Sequence, residues 1–235
     1  IAKKLKAQNI HSVLDLLQAS PQAMRQQFGV VMERLCYELR GTSCLQLEEV
    51  APAKQQIIAS RSFGKLVTSQ VELAQSVATH AARAAEKLRT QNSITGALTV
   101  FIQTNPFKQY EPQHHQSITV PLVDPSDDTL TLTNAALAGL KQIYQPHFRY
   151  KKAGVILNLI SDKPTVQQSL FEDMESKGKS AHLMKAMDEI NTRFGNAVIR
   201  SAAVGTNGTK QAWQMRSSNK SPNYTTKWDE LPVAR

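Results

Sequence analysis

The sequence has few cysteines and no long apolar run, and each shortage excludes a class of protein. Its two cysteines, Cys36 and Cys44, have neither CxxC spacing nor a nearby histidine. We therefore expect reduced thiols of a cytoplasmic protein rather than a disulfide or a metal site. No apolar run is long enough to span a bilayer, and the opening residues IAKKLKAQNI lack the apolar segment of a signal peptide. We therefore expect no membrane-spanning segment and no signal peptide in this sequence.

Signatures of catalysis are missing as well. The sequence has no Gly-rich phosphate loop and no GxSxG motif. A two-metal site needs carboxylates on adjacent strand ends. The acidic pairs Asp127-Asp128, Asp188-Glu189 and Asp229-Glu230 instead fall at a helix start, within a helix and in the tail. We interpret His114-His115 as a solvated pair in a loop. These residues predict a protein that binds rather than catalyses.

Basic residues, in contrast, are abundant. Lys and Arg number 28 against 19 Asp and Glu, which gives a net charge of +9 over 235 residues. This charge favours nucleic acid as a partner, then an anionic membrane surface, while a merely soluble basic protein fits the charge about as well. The chain begins with Ile rather than Met, so we expect a fragment. Its length allows one large domain or two small ones.

Residues 1–55 predict a small helical unit and a tether. Apolar residues recur at helical spacing through residues 1–42, with a helix start at Ser20-Pro21 and a stop at Gly41. Residues 43–55 have no steady period and contain Pro52. We therefore interpret residues 43–55 as a tether between two units.

Residues 56–162 predict an α+β domain of βαββαβ order. Strand patterns occur in QIIASRSF, TGALTVFIQT, SITVPLV and AGVILNLI. One helix is expected at about 70–89, with a capping box from Ser69 and Glu72, and a second between Asp124-Pro125 and Pro146. This order predicts a four-stranded sheet with both helices on one face.

The second face of such a sheet is left free to bind a partner. The segment ASRSFGK offers the cations, hydroxyls and backbone N–H groups that hold phosphates, although an ordinary charged edge strand has the same composition. An RNA-recognition module of the same βαββαβ order needs aromatic residues for stacking, and Phe101 alone is a weak signal. The candidates for this face and its rim are Ser60, Arg61, Ser62, Thr99, Gln103, Lys151 and Lys152.

After the sheet we expect a linker at 163–179, a helix at 180–193, a short strand in AVIRSAAVG and a basic tail. The linker contains VQQSLFED, in which the apolar pair Leu170-Phe171 lies among polar residues. An exposed apolar pair of this kind favours a binding peptide. The alternative is that Leu170 and Phe171 pack against the sheet domain or against the 180–193 helix.

Several segments, in this order, resemble the C-terminal half of UmuC-type Y-family translesion polymerases: SRSFG, AARAAEKLR, FIQTNPF, RYKKAGVIL, QQSLFED and WQM…SPNYTT. The resemblance covers essentially the whole chain. It implies that residues 1–42 end the thumb in a helix-hairpin-helix-like segment, with Asn9-Ile10 where the family has Gly-Ile. It also implies that residues 54–162 form the little finger, the domain that grips primer–template DNA.

The family's DNA contacts carry over to Ser60, Arg61, Ser62, Phe63, Lys65, Lys151 and Lys152. The catalytic palm, which is expected to use Mg²⁺ in the parent DNA-directed DNA polymerase, would lie upstream, so we expect this chain alone to be inactive. The tail from residue 180 would engage an accessory mutagenesis subunit and a recombinase filament, the partners of SOS mutagenesis and DNA damage tolerance.

QQSLF resembles the family's sliding-clamp-binding peptide. This resemblance implies that Gln167 fills a polar subsite, that Ser169 lies between, and that Leu170 and Phe171 enter an apolar pocket. Gln168 stands where the family prefers Leu, which should weaken docking by about 1–2 kcal/mol. Two other functions stay open on the sequence alone: a stand-alone RNA-binding module of the RRM type, and a protein-interaction scaffold.

Overall fold

A computed structural model describes residues 1–45, 52–163, 174–195, 197–205, 211, 213–215 and 220–231, with residues 174–177 described by their backbone alone. The chain divides into two compact units, Ile1–Pro52 and Ala53–Arg235. Each unit has its own buried core. The clamp-binding peptide predicted at Gln167, Ser169, Leu170 and Phe171 lies outside the described residues.

The first unit consists of four short helices: α1 (Ala2–Lys6), α2 (Val13–Gln18), α3 (Pro21–Phe28) and α4 (Val30–Leu39). Their buried core is Leu16, Met24 and Cys36. Asn9, between α1 and α2, has a φ of +57°, a left-handed conformation that Asn tolerates better than most residues. Ser20 caps α3, and Pro21 opens it, as the sequence predicts.

The second unit contains the predicted βαββαβ order. Its elements are β1 (Ile57–Val67), α5 (Gln70–Thr90), β2 (Ser93–Gln103), β3 (His115–Ser126), α6 (Thr129–Ile143) and β4 (Tyr150–Asp162). The antiparallel sheet has the strand order β1-β4-β2-β3, so β2 and β4 are central. Alternate residues of the strands, such as Leu98, Val100 and Ile102, are fully buried in the core beneath α5 and α6.

Two local predictions in this unit are wrong. Ser69 precedes α5, but its side chain makes no cap hydrogen bond, so the predicted capping box does not form. Strand β3 continues through Asp124-Pro125 to Ser126, and Asp128 then caps α6. Because β3 is an edge strand, Pro125 leaves no ladder hydrogen bond unmade in the sheet interior.

The tail is helical and partly packed against the sheet domain. Helix α7 spans Met174–Phe194 and thus begins inside the predicted linker. The strand expected in AVIRSAAVG is not formed: Ala202–Val204 make a single 3-10 turn. Ser201 before this turn and Gly205 after it, with a φ of +83°, are helix-end residues that favour this outcome. Along the described residues, no helix is long and apolar enough to cross a membrane.

Candidate nucleic-acid interface

The sheet face away from α5 and α6, which we call the open face, is partly exposed and carries polar side chains beside the apolar Ile58, Phe101 and Ile156. On it, Asn158 on β4 donates to Thr99 on β2 (Nδ2–Oγ1 2.8 Å), and Thr99 bonds Thr119 on β3 (2.7 Å between hydroxyl oxygens). Gln56 extends this row of hydrogen bonds at the other end, where its Nε2 donates to Asn158 Oδ1 at 2.7 Å. The open face therefore presents a cross-strand row of amides and hydroxyls, groups that hydrogen-bond to phosphate and sugar.

Lys152 marks the cationic end of the open face. It pairs with Ser62 on one side and with Gln103 on the other in the sheet register. Its Nζ lies 5.6 Å from the centroid of the Phe101 ring, on the same face. The ring holds the ammonium group over the sheet by a cation–π contact.

Gly154 makes room for this arrangement. A Cβ at Gly154 would lie 2.6 Å from Phe101 Cζ and would also collide with Ser60 Cβ. The half-buried Ser60 and the ring of Phe101 therefore meet above Gly154. A side chain at position 154 would displace the ring on which Lys152 rests.

Arg61 and Lys151 do not lie on the open face with Ser60, Ser62 and Lys152. Arg61 has the same strand parity as buried Ala59 and pairs with buried Ala153, so it points to the side of α5. There Arg61 is exposed and acts electrostatically on His80 of α5. The predicted cations thus divide between the two sides of the β1 edge, because neighbouring strand residues face opposite ways.

Lys151 forms a hydrogen bond with the backbone of Phe63. Lys151 Nζ donates to the Phe63 carbonyl oxygen at 2.6 Å. The Phe63 side chain is 1% exposed and belongs to the core, so it cannot contact DNA as the sequence predicted. Lys65, two residues on, is exposed. Phe63 is therefore a core residue whose carbonyl oxygen is already engaged by Lys151.

Burial and charge lower the pKa of His80, on the helix side of the sheet, to about 4. Burial comes first, and Arg83 and Arg61 add to it. The side chain is 1% exposed, and its Nε2 has no hydrogen-bond partner among the described residues. His80 is therefore a neutral imidazole beneath two cations at neutral pH.

The histidine pair is not the solvated pair that the sequence predicted. His114 is buried against Phe148 and Tyr150, with the Tyr150 hydroxyl 3.2 Å from Nδ1, while the next residue, His115, is exposed and begins β3. Burial and the neighbouring His115 lower the pKa of His114. Among the described residues, no group of His, Cys, Asp or Glu is arranged to hold a metal ion.

The tail contributes buried contacts that the sequence did not predict. Trp213 is 8% exposed and belongs to the core of the sheet domain. Next to it, the Gln214 carbonyl accepts a hydrogen bond from Gly64 N of β1 at 3.1 Å. The tail and helices α5 and α7 line a partly open cavity of about 290 Å³, which includes Arg83, Asn191 and Trp213 in its wall. In the sequence, Trp213 stands out only as an aromatic residue in a basic tail. That observation does not predict which residues it contacts.

Comparison with known proteins agrees with this architecture. Residues 54–170 match the impB/mucB/samB family C-terminal domain, and residues 181–234 match a domain of unknown function, DUF4113. The chain is 41% identical over 231 residues to Protein UmuC of Salmonella typhimurium and 39% identical over 235 residues to Protein SamB of the same organism. It is 39% identical over 232 residues to Protein MucB of Escherichia coli.

These alignments cover 98%, 100% and 99% of this chain, respectively, but 54% of each relative. The chain therefore spans about half the length of the curated relatives it matches. The matched family domain contains the sheet, and the DUF4113 match contains most of α7 and the packed Trp213. The chain belongs to the UmuC-type (impB/mucB/samB) family of Y-family polymerases, a family of DNA repair and SOS mutagenesis, and corresponds to its C-terminal region, the little finger followed by the DUF4113 tail.

Proposed function

We propose that this chain is the DNA-gripping and partner-docking part of an error-prone translesion DNA polymerase. Primer–template DNA lies along the open face, where hydroxyls, amides and Lys152 contact the sugar-phosphate backbone. The observation that carries the proposal is a partly exposed sheet face that bears a cross-strand row of polar groups and a cation at one end. The net charge of +9 adds long-range attraction to a polyanion.

The open face favours backbone contact over base stacking. An RNA-recognition module stacks two or three bases on aromatics of its central strands. Here the central strands are β2 and β4; Phe101 is on the open face, whereas Tyr150 is fully buried. Phe101 also lies over Gly154 and beneath Lys152, which limits its use as a stacking platform. The row of polar groups therefore supports a binder with little sequence preference.

Duplex binding measured at graded salt tests the proposal. Lys152→Gln should weaken binding to a primer–template and lower the slope of log affinity against log salt by about 1. Lys141→Gln, an exposed lysine on α6, is the matched control and should change neither quantity. Sequence-selective binding to single-stranded RNA, or no nucleic-acid binding at low salt, would refute the proposal.

We propose in addition that Gln167, Ser169, Leu170 and Phe171 dock on a sliding clamp. Support comes from the match of QQSLF to the family's peptide and from its place at the C-terminal end of the first matched domain, residues 54–170, ahead of the second, residues 181–234. Such peptides bind in an extended form and become ordered on the partner. Leu170→Ala with Phe171→Ala should abolish pull-down by the clamp and leave DNA binding unchanged. Gln168→Leu should instead tighten clamp binding by about 5- to 30-fold, since it restores a buried aliphatic contact.

We propose that the tail engages the accessory mutagenesis subunit and a recombinase filament. Trp228, which is 89% exposed in the region matched to DUF4113, supports a role of the tail surface in docking. Trp228→Ala should reduce co-precipitation of one of these partners without loss of DNA affinity, and unchanged co-precipitation of both would contradict the assignment. The Mg²⁺ expected of the parent polymerase finds no fitting ligand group among the described residues, so we assign none of its chemistry to them.

A further inference from the structure

The loop between β2 and β3, residues 104–114, carries two aromatic rings into solvent. Phe107 is 92% exposed and Tyr110 is 83% exposed. Single exposed apolar residues are common on protein surfaces. Two large rings three residues apart at the tip of one loop are a different case, because each costs free energy in water unless a partner covers it.

Hydrogen bonds within the loop hold it in one conformation. Its ends are joined by Thr104 N donating to the His114 carbonyl at 3.0 Å. Gln113 Nε2 donates to the carbonyls of Lys108 and Glu111 at 2.8 and 3.0 Å, and the Gln113 amide oxygen accepts from Thr104 Oγ1 at 2.9 Å. This is a compact loop closed on itself, a type that often carries function. Phe107 and Tyr110 are therefore exposed on a loop whose backbone is held by its own hydrogen bonds.

Charge and position around the loop favour a nucleic acid over an apolar protein pocket. Gln103, the last residue of β2 before the loop, pairs with His115 and with Lys152, so the loop leaves the sheet at the cationic end of the open face. Glu111, the only acidic residue between 104 and 114, is neutralised by Lys108 at 2.8 Å and by Arg149 at 3.6 Å. Rings interleaved with cations are the pattern of proteins that bind single strands.

We propose that Phe107 and Tyr110 form a stacking site for unpaired bases of single-stranded DNA. This proposal rests on the proposed function, since the strand that stacks is the one that extends past the duplex on the open face. Paired bases stack on one another inside a duplex and do not offer their faces to the loop, whereas unpaired bases do. The loop thus distinguishes a duplex with a single-stranded extension from a blunt one.

The test compares the whole chain's affinity for a blunt duplex with its affinity for the same duplex carrying a thymidine extension, by fluorescence anisotropy. We expect the extension to tighten binding about tenfold or more, as stacking of one or two bases does. Phe107→Ala with Tyr110→Ala should abolish this gain and leave blunt-duplex affinity within about twofold of the original. A 2-aminopurine in the extension should lose emission on binding to the parent chain and not on binding to the double variant.

Matched controls separate stacking from other effects. Phe107→Tyr with Tyr110→Phe keeps both rings and should keep the gain, while Phe194→Ala removes an exposed ring at the end of α7 and should also keep it. An extension that gives no gain with the parent chain, or a gain that survives the double alanine variant, overturns the proposal. The proposal is also overturned if Phe107→Ala with Tyr110→Ala abolishes binding of a protein partner and leaves binding to both DNA substrates unchanged. Failure of the proposed function itself looks different, because the blunt duplex then does not bind at all.

Discussion

Arg89 of α5 and Asp188 of α7 form a two-pronged ion pair, with Nε–Oδ2 at 2.6 Å and Nη2–Oδ1 at 2.7 Å. The remaining Arg89 nitrogen, Nη1, donates to the Asp127 carbonyl and to Thr129 Oγ1 at the start of α6. One guanidinium therefore joins three helices, from both regions matched in the family comparison. The DUF4113 region is docked on the little finger through this contact.

Breaking this pair should destabilise the protein. Asp188→Asn leaves Arg89, whose side chain is only 11% exposed, without its counter-charge. We expect a loss of about 2–3 kcal/mol in the free energy of unfolding, below the full cost of a deeply buried pair because the Asp188 side chain is 32% exposed. Urea unfolding measures the loss. Glu189→Gln, at the next and more exposed carboxylate, should cost no more than about 0.5 kcal/mol; equal effects would contradict the assignment.

The two tryptophans should respond differently to truncation. Trp213→Ala removes a ring that is 8% exposed in the sheet-domain core and should cost about 3–5 kcal/mol. Trp228→Ala removes a ring that is 89% exposed and should cost almost nothing. Thermal or urea unfolding compares the two. Fluorescence adds a second readout, since Trp213 should emit at a shorter wavelength than Trp228; coincident emission maxima would show that the tail is not packed.

Regular patterns made the sheet domain predictable, and irregular long-range contacts made the tail unpredictable. Leu98, Val100 and Ile102 alternate with polar residues, so β2 follows from the sequence and the βαββαβ order is confirmed. Trp213 stands in a segment without periodicity, and its contacts lie far back in the chain. Nothing local marks it as a core residue.

The candidate site was predictable in composition and not in geometry. The sequence identified Ser60, Ser62 and Lys152 as open-face candidates, and the structure puts them there. It could not assign Arg61 and Lys151 to the other side, because each is one residue from an open-face neighbour and a change of strand register exchanges the faces. The single aromatic Phe101 became informative only when Lys152 and Gly154 were seen around it.

His80 should make stability depend on pH in acid. Its folded pKa, about 4, lies below its ordinary value of 6.5, so between these values the unfolded chain binds a proton that the folded chain excludes. The free energy of unfolding is therefore unaffected above pH about 6.5 and falls as pH drops towards 4, by roughly 3 kcal/mol in all. Urea unfolding at a series of pH values measures this fall.

Substitution isolates the contribution of His80 from that of other groups. His80→Gln cannot titrate, so its unfolding free energy should change less than that of the parent between pH 6.5 and 4. His115→Gln, at an exposed histidine, should leave the parent's slope unchanged. If His80→Gln keeps the full slope, burial beneath Arg61 and Arg83 does not set the protonation of this side chain.

Replacing glycine by alanine should change the free energy of unfolding in opposite directions at two positions of the second unit. Gly154→Ala forces Phe101 and Ser60 apart and should cost about 1–3 kcal/mol, because neither Ser60 Cβ nor the central strand can move freely. It should also weaken duplex binding, since Lys152 loses the ring beneath it. Gly178→Ala in α7 meets open space and should stabilise the helix by up to about 1 kcal/mol. Unfolding measurements on both variants, with duplex anisotropy, check the pair. A stable Gly154→Ala protein with undiminished DNA affinity would show that the ring does not hold Lys152 in its binding position.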